Sequence, residues 1–257
     1  LKNCPKDIEI NVLGAGSNVI IADGGVEGVV IRPGRSFCDI SYDDGKLKVG
    51  SSALNANLVQ YCQNKGLTGV EFLSGIPGSI GGAVAMNAGC YGTDVSMVLD
   101  RVKAVDYEGN VKVFSVSELG LSYRKNSLVE DYIFVEAWFN VSESESEIVT
   151  KKVAELCEAR QLAQPIRAKT GGSTFKNPYP NDLTKKKAWQ LIDEAGLRGK
   201  KIGGAKISEK HCNFMINEGG AKAQDLIELG NLVRKRVKDK LGHDLEWEVR
   251  TIGVVTN

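Results

Sequence analysis

Apolar and polar residues alternate in several short segments of the first half of the chain, and this period of two is typical of β-strands with one buried face. Ile8, Ile10 and Val12 alternate in this way. The predicted strands cover residues 7–13, 19–21, 29–31, 46–49, 102–105, 111–114 and 133–139. The turn sequence Glu108-Gly109-Asn110 separates two of them, which predicts a β-hairpin.

Other segments carry apolar residues at helical spacing. Leu54, Leu58 and Cys62 share one face of a helix predicted over residues 53–65, and Gly66 takes the position of a C-terminal glycine. Further helices are predicted at residues 149–156, 188–195 and 226–241. The apolar face of the last helix is long and regular, and we interpret it as core.

The order of these elements predicts an α+β fold. An acidic, serine-rich link at residues 142–147 divides the strand-rich half from the helical half, and an alternating strand at residues 245–253 closes the chain. Ser144 and Glu147 have capping-box spacing at the start of the helix that follows the link. We therefore predict two domains, residues 1–144 and 145–257.

Glycine is concentrated in residues 75–89, which contain five glycines among many small residues. Such a backbone approaches a ligand closely, and its amide groups form a nest for a phosphate or pyrophosphate. A long turn or a packed junction between strand and helix is the alternative interpretation. A second glycine turn, residues 14–18, lies between two predicted strands, so it lacks the helix of a Rossmann dinucleotide site.

Amino-acid composition and charge exclude several classes of protein function. The 257 residues carry a net charge of +1, and 42% of them are hydrophobic and 25% charged. The sequence has no long basic run, so neither nucleic acid nor an anionic membrane is indicated as a partner. No apolar run has the roughly 20 residues of a membrane span, and the first residues lack a signal peptide core, so we expect a cytoplasmic protein. Six scattered cysteines and two histidines predict reduced thiols and no metal site.

Seven segments occur in the same order as in one enzyme family. They are residues 13–18, 75–83, 87–92, Tyr123-Arg124, 172–178, 211–214 and 248–250. From about residue 13 to residue 253 the sequence resembles the UDP-N-acetylenolpyruvoylglucosamine reductases, in their shorter second type. The resemblance implies a flavoprotein that reduces UDP-N-acetylglucosamine enolpyruvate to UDP-N-acetylmuramate for peptidoglycan, with NADPH as the hydride donor.

The fold that the resemblance implies is of the vanillyl-alcohol-oxidase type. It has a two-lobed FAD-binding domain, here residues 1–144, and a C-terminal α+β substrate domain, here residues 145–257, whose last strand returns to the active site. The implied cofactor-binding residues are Gly14, Ala15, Gly16, Ser17, Asn18, Gly75, Gly78, Ser79, Ile80, Gly81, Gly82, Asn87, Ala88 and Gly89. Of these, 14–18 and 79–82 are expected at the FAD pyrophosphate, and 87–89 along the cofactor.

The resemblance also implies catalytic roles. Ser173 is the expected proton donor to C2 of the substrate, while Arg124 and Glu248 are expected at the substrate carboxylate and the developing enolate. Glu248 helps there only if it is protonated or bonded to a cation. Expected contacts to the substrate come from Tyr123, Lys176 and Asn177.

Each of these residues has a structural alternative. Spacing alone favours an exposed loop arginine at position 124, and Ser173 is equally a turn or N-cap residue. Glu246 and Glu248 lie on one predicted strand, and the alternative is that one of the two simply faces solvent. Asn177 precedes proline as in an ordinary turn. His211 is interpreted as a structural histidine.

Two other functions remain open. One is an FAD-dependent oxidase or dehydrogenase of another alcohol or sugar, and the other is a nucleotide-sugar binding module without catalysis. The chain is expected to be a monomer.

The sequence departs from the family pattern at three places. The family's N-terminal segment with a first Gly-Gly turn is missing before Leu1, and we expect this to bear on flavin affinity. Asn126 replaces a serine that often follows two residues after the arginine, so the geometry around Arg124 is expected to differ. An insertion that carries a substrate-capping tyrosine in one subgroup is absent, so we expect the substrate to be closed over differently.

Overall fold

Short strands dominate the first half of the chain, as the alternating pattern predicts. The structure is a computed structural model that describes residues 1–182 and 184–255. Its strands are β1 (Ile10–Val12), β2 (Val19–Ile21), β3 (Val29–Ile31), β4 (Ile40–Asp43), β5 (Lys46–Gly50), β6 (Leu67–Thr68), β7 (Gly89–Cys90), β8 (Thr93–Asp94), β9 (Leu99–Asp106), β10 (Val111–Ser115), β11 (Tyr132–Asn140), β12 (Ser142–Glu143), β13 (Lys201–Ile202), β14 (Ala205–Ile207), β15 (Met215–Asn217) and β16 (Arg250–Ile252). Its helices are α1 (Asn55–Lys65), α2 (Ile80–Ala85), α3 (Ser146–Ala163), α4 (Ala188–Glu194) and α5 (Ala223–Leu241). None of these helices has both the length and the apolar composition of a membrane span.

Five strands form an antiparallel sheet in the order β10-β9-β11-β5-β4. The predicted hairpin is confirmed, with Val111 opposite Val105 across β10 and β9. Asp44 and Gly45 join β4 to β5 and both have positive φ, as a type I′ turn requires. Helix α2 packs on β11 and β5, and its buried residues join those of the sheet and α1 in one hydrophobic core.

The predicted end of α1 is confirmed. Gly66 lies in the left-handed region at φ 64°, and its amide closes the helix on the carbonyls of Cys62 and Gln63. Ser144 was predicted to cap the start of α3 in a capping box with Glu147. It does not take the capping position, since α3 begins at Ser146. Residues 142–143 instead pair with β6, so the acidic link is partly a strand.

The described chain divides into two compact units. The first contains Leu1–Ala15 and Val30–Arg160, and the second contains Gly16–Val29 and the chain from Gln161 onward. The division thus falls later than the predicted boundary at residue 144. Helix α3 accounts for the difference, because Val153 joins the first core and Lys152 bonds to the buried Glu71 carboxylate at 3.1 Å.

The second unit has its own core between α4 and α5. The predicted core face of α5 is confirmed, since Leu229, Val233 and Val237 are fully buried. Strand β16 pairs in parallel with β2, and β13, β14 and β15 form an antiparallel sheet. The predicted strand 245–253 is regular only in its last part, because its backbone changes partner from residues 174–176 to β2 along its length.

Candidate functional site

The glycine-rich segment of the first unit is held in place by hydrogen bonds from its own neighbours. Asn55 at the start of α1 donates its backbone N–H to the Gly78 carbonyl at 3.0 Å and its side-chain Nδ2 to the Ile76 carbonyl at 2.9 Å. The N–H groups of Ile80 and Gly81 donate to Ala53 and Ser51 carbonyls at 2.9 and 2.8 Å. Because these two N–H groups already donate to backbone carbonyls of the fold, they do not form an anion nest.

The segment nevertheless fits a large polar cofactor. A Cβ at Gly14 would lie 2.5 Å from Ser79 Oγ, and a Cβ at Gly81 would lie 3.0 Å from Ser51 Cβ, so both positions depend on glycine. Among the described residues, the buried Ser51 Oγ and Asn55 Oδ1 have no hydrogen-bond partner. Buried polar atoms without partners are rare in folded proteins and are expected where a polar ligand completes the site. The residues present therefore fit FAD.

The other expected cofactor residues are distributed over both units. Gly75 and Gly78 belong with Gly14 and Ala15 to the first unit, whereas Gly16, Ser17 and Asn18 belong to the second. Asn18 has a structural role there, since it donates Nδ2 to the Glu248 carbonyl at 2.9 Å and accepts the Arg250 N–H at 3.1 Å.

Asn87 directs its side chain into the protein. Its Nδ2 donates to the Ser122 carbonyl at 3.0 Å, and its Oδ1 accepts the Ser96 N–H at 2.9 Å. Asn87 also adopts a positive φ of 40°, which asparagine tolerates better than most residues. Nearby, Gly89 cannot carry a side chain, because a Cβ would lie 2.5 Å from Asp94 Cβ.

Arg124 lies in a tight turn of the first unit. Ser122 and Lys125 exchange two backbone hydrogen bonds of 3.1 Å across this turn, which places Tyr123 and Arg124 at its tip. Arg124 has a φ of 55°, its Nη2 donates to the Gly89 carbonyl at 2.8 Å, and its guanidinium lies 5.0 Å from the Tyr123 ring centroid. The side chain is half-buried and held, unlike that of an ordinary exposed loop arginine.

The second unit holds Ser173 between two other segments. Ser173 forms an isolated bridge with Phe214, and the next residue, Thr174, donates its N–H to the Asn213 carbonyl at 2.7 Å. On the other side the Thr174 carbonyl accepts the Glu248 N–H at 2.8 Å. Ser173 is therefore not an N-cap, and the backbone places it next to the segment of Glu248.

The two glutamates that the sequence could not distinguish have different surroundings. The Glu246 side chain is 75% exposed and forms an ion pair with Lys176 Nζ at 3.2 Å, whereas Glu248 is half-buried. Asn177 accepts the N–H of Ala188 at 3.1 Å and so caps the start of α4. Lys176 and Asn177 thus have partners within the unit, and their contacts to a substrate stay a prediction.

His211 is half-buried between two aromatic rings, with centroids 5.9 Å from Trp189 and 4.8 Å from Phe214. Its Nδ1 accepts the Asn213 N–H at 3.3 Å, and burial lowers the pKa of the imidazole. Within the described residues no cluster of three or more histidine, cysteine or acidic side chains is placed to hold a metal.

The sequence places Thr174 in the segment 172–178 without a role of its own, and it connects Asn126 with the geometry around Arg124 only through the serine that Asn126 replaces. Both are buried polar residues, and Asn126 donates Nδ2 to the Val84 carbonyl at 3.2 Å. Neither belongs to a periodic pattern, so only the neighbouring motif residues could have drawn attention to them.

Two family models match the chain. An FAD binding domain matches residues 2–115, and the C-terminal domain of UDP-N-acetylenolpyruvoylglucosamine reductase matches residues 164–252. These matches confirm the predicted fold class.

Similar proteins carry the same family name. The UDP-N-acetylenolpyruvoylglucosamine reductase of Rickettsia akari (strain Hartford) is 49% identical over 246 residues, which are 96% of this chain and 82% of that protein. That of Rickettsia canadensis (strain McKiel) is 48% identical over 254 residues, 98% of this chain and 84% of that protein. The crystal structure of the enzyme from Thermus caldophilus superimposes with a TM-score of 0.81 at 36% identity, covering 96% of this chain and 86% of that one. The chain therefore belongs to the UDP-N-acetylenolpyruvoylglucosamine reductase family.

Proposed function

We propose that this protein is an FAD-dependent reductase that uses NADPH to convert UDP-N-acetylglucosamine enolpyruvate into UDP-N-acetylmuramate, a step in peptidoglycan precursor synthesis and thus in building the cell wall. The observation that carries the proposal is the 49% identity with a reductase of this name over 96% of the chain. Both family domains match within the same chain, which supports a protein that combines a flavin-binding domain with the C-terminal domain of this reductase family.

The cofactor is held by backbone and small side chains. FAD, when bound, accepts a hydride from NADPH and supplies it to C3 of the enolpyruvyl group. Residues 14–18 and 79–82 would hold its pyrophosphate, and residues 87–89 would lie along it. Because the amides of Ile80 and Gly81 donate within the fold, other groups of these segments meet the phosphates.

Three side chains of the protein bind the substrate carboxylate, stabilise the enolate charge and supply the proton to C2. The Arg124 guanidinium binds the substrate carboxylate, for which its planar shape is suited. Ser173 gives its hydroxyl proton to C2, and Glu248, protonated or paired with a cation, stabilises the enolate. One well-placed donor to such an oxyanion is typically worth about 3–4 kcal/mol of transition-state stabilisation.

Substrate contacts outside the reacting group come from Tyr123, Lys176 and Asn177. The ion pair between Lys176 and Glu246 is exposed on the Glu246 side, and exposed pairs contribute only about 0–1 kcal/mol. Lys176 therefore leaves Glu246 at little cost when a phosphate of the nucleotide sugar is present. The enzyme acts in the cytoplasm as a monomer, and the small net charge of +1 favours neither nucleic acid nor membrane as a partner.

An anaerobic absorbance experiment tests this function against its rivals. Purified protein with FAD is reduced by NADPH, which bleaches the flavin band, and the enolpyruvyl substrate is then added without oxygen. Return of the band is the expected result. A band that returns only with oxygen favours an oxidase of another alcohol or sugar, and a protein that binds the nucleotide sugar but no flavin favours a binding module.

A further inference from the structure

We infer that Asn126 and Asn87 are positioning residues for Arg124, and that together they tie the turn of Arg124 to the C-terminal end of helix α2. We call this pair the asparagine clamp. The inference rests on the proposed function, because it assumes that Arg124 binds the substrate carboxylate. It concerns the contacts that hold this arginine, about which the sequence indicates only that the geometry near Asn126 differs from the family pattern.

Asn126 forms the first half of the clamp. It is 2% exposed, its Nδ2 donates to the Val84 carbonyl at 3.2 Å, and its Oδ1 accepts the Leu128 N–H at 3.0 Å. Val84 lies in the last turn of α2, where backbone carbonyls have no partner inside the helix. One buried amide side chain thus satisfies a carbonyl of the helix and an N–H of the chain after the turn.

Asn87 forms the second half, from the chain that follows α2. It is 1% exposed, its N–H also donates to the Val84 carbonyl at 3.2 Å, and its Nδ2 donates to the Ser122 carbonyl at 3.0 Å. Ser122 stands two residues before Arg124, and Asn126 stands two residues after it. The turn is therefore fixed to the same end of α2 on both of its sides.

The conformation of Arg124 explains why such a clamp is needed. The left-handed region is unfavourable for a residue other than glycine, and it persists only where the surroundings impose it. Arg124 occupies this region at φ 55°. Its Nη2 contacts the Gly89 carbonyl, two residues after Asn87, so that the clamp and the arginine side chain converge on one segment. Without the clamp, we expect the turn to relax and the guanidinium to leave its position.

The test compares the two half-reactions of the FAD-loaded enzyme by anaerobic stopped-flow absorbance. Four proteins are measured: wild type, Asn126→Ala, Arg124→Ala and the double variant. We expect Asn126→Ala to slow reoxidation of the flavin by the enolpyruvyl substrate about tenfold, a coupling typical of residues that share one network. Reduction by NADPH is expected to change less than about twofold, because the carboxylate that Arg124 binds belongs to the other substrate.

The double variant separates positioning from general destabilisation. If Asn126 acts through Arg124, adding Asn126→Ala to Arg124→Ala slows reoxidation less than about twofold further. A full additional tenfold loss, or equal slowing of both half-reactions by the single variant, would overturn the inference. Val102→Ala removes buried volume from β9, a strand that pairs with β10 and β11, and is the control for a loss of stability alone.

Two further outcomes distinguish this inference from the proposed function. If Asn126→Ala does not fold, Asn126→Asp keeps the acceptor for Leu128 but replaces the donor to Val84 by an oxygen that repels this carbonyl, and a loss of at least about tenfold is expected from it. If Arg124→Ala reoxidises like wild type, the role of Arg124 fails and the clamp inference fails with it. If wild type with bound flavin is reduced by NADPH but is not reoxidised by the enolpyruvyl substrate, the proposed function itself is contradicted.

Discussion

Thr174 connects the segments that carry Ser173 and Glu248. It is almost fully buried, its Oγ1 accepts the Met215 N–H at 3.2 Å, and its backbone bonds to Asn213 on one side and Glu248 on the other. Ser173 is the half-buried neighbour of this anchored residue. A serine hydroxyl is a weak acid, so a fixed position relative to the substrate carbon is the main contribution that the fold makes to proton donation.

Replacing Ser173 by alanine tests that role. We expect Ser173→Ala to leave flavin reduction by NADPH intact and to lower turnover of the enolpyruvyl substrate by about 10²- to 10⁴-fold, the usual contribution of a general acid. Both half-reactions are measured by anaerobic absorbance. Ser173→Cys keeps a transferable proton at the same position and is expected to retain more turnover than the alanine variant. Wild-type turnover in Ser173→Ala would remove this serine from the mechanism.

At the scale of the elements, local sequence patterns predicted a helix or strand correctly where it packs or pairs with the same neighbour along its whole length. The helix ending at Gly66, the hairpin around Glu108-Gly109-Asn110 and the apolar face of α5 all follow their sequence patterns. The strand predicted at residues 245–253 does not, because its backbone bonds first to residues 174–176 and then to Asn18 and β2. No periodic pattern encodes such a change of partner.

The candidate site was predictable only in part for the same reason. Its motif residues stand out through glycine and through the family resemblance. The contacts that hold Arg124 join residues 35 to 42 positions apart in the sequence, from Asn87 to Ser122 and from Val84 to Asn126. Similarly, alternation alone could not decide which glutamate faces solvent, whereas the ion pair with Lys176 identifies Glu246.

The end of α1 offers a prediction about an element. A Cβ at Gly66 would lie 2.4 Å from the Ser144 carbonyl oxygen, in a residue with φ 64°. We expect Gly66→Ala to lower the free energy of unfolding by about 2–4 kcal/mol, the sum of the left-handed penalty and the clash. The measurement is the midpoint of urea unfolding followed by circular dichroism.

Gly45 provides a matched control for that prediction. It has a similar φ of 72°, but nothing lies within 4 Å of its Cβ position. Gly45→Ala should therefore lose only the conformational part, about 1–2 kcal/mol. Equal losses in the two variants would show that the contact with Ser144 contributes nothing, and that α1 ends at Gly66 for conformational reasons alone.

At the scale of the whole molecule, each unit contains a buried or half-buried titratable group whose pKa shift makes the fold more stable at neutral pH than in acid. In the first unit, burial raises the pKa of Glu71, but hydrogen bonds from Thr68, Gly69 and Lys152 outweigh it and leave the pKa below its ordinary value of 4.5. In the second unit, burial lowers the pKa of His211 below its ordinary value of 6.5, and the nearby Arg198 adds to this.

Both shifts make acid destabilising, in different pH ranges. A histidine with a lowered folded pKa binds a proton more readily in the unfolded chain, so its stability contribution is present above pH 6.5 and is lost as the pH falls through the folded pKa. The lowered pKa of Glu71 acts in the same direction: its contribution to the free energy of unfolding is present above pH 4.5 and is lost as the pH falls below that value. The free energy of unfolding should therefore begin to fall near pH 6.5, well before carboxylates titrate.

Replacing His211 isolates the upper part of this pH dependence. We expect His211→Gln to flatten the curve of unfolding free energy against pH between about pH 7 and pH 5, because glutamine takes up no proton there. The measurement is a series of urea unfolding midpoints across that range. The slope is the informative quantity, since loss of the aromatic contacts to Trp189 and Phe214 lowers stability equally at every pH.

The chain contains only one other histidine, His243, which makes the control direct. It bonds through Nδ1 to the Tyr179 hydroxyl at 3.0 Å, in an exposed contact. If His211 is the group that responds near pH 6.5, then His243→Gln must keep the wild-type slope while His211→Gln loses it. A slope that survives in His211→Gln would assign the early loss of stability to carboxylates, and burial between Trp189 and Phe214 would then have no consequence for the response of the fold to acid.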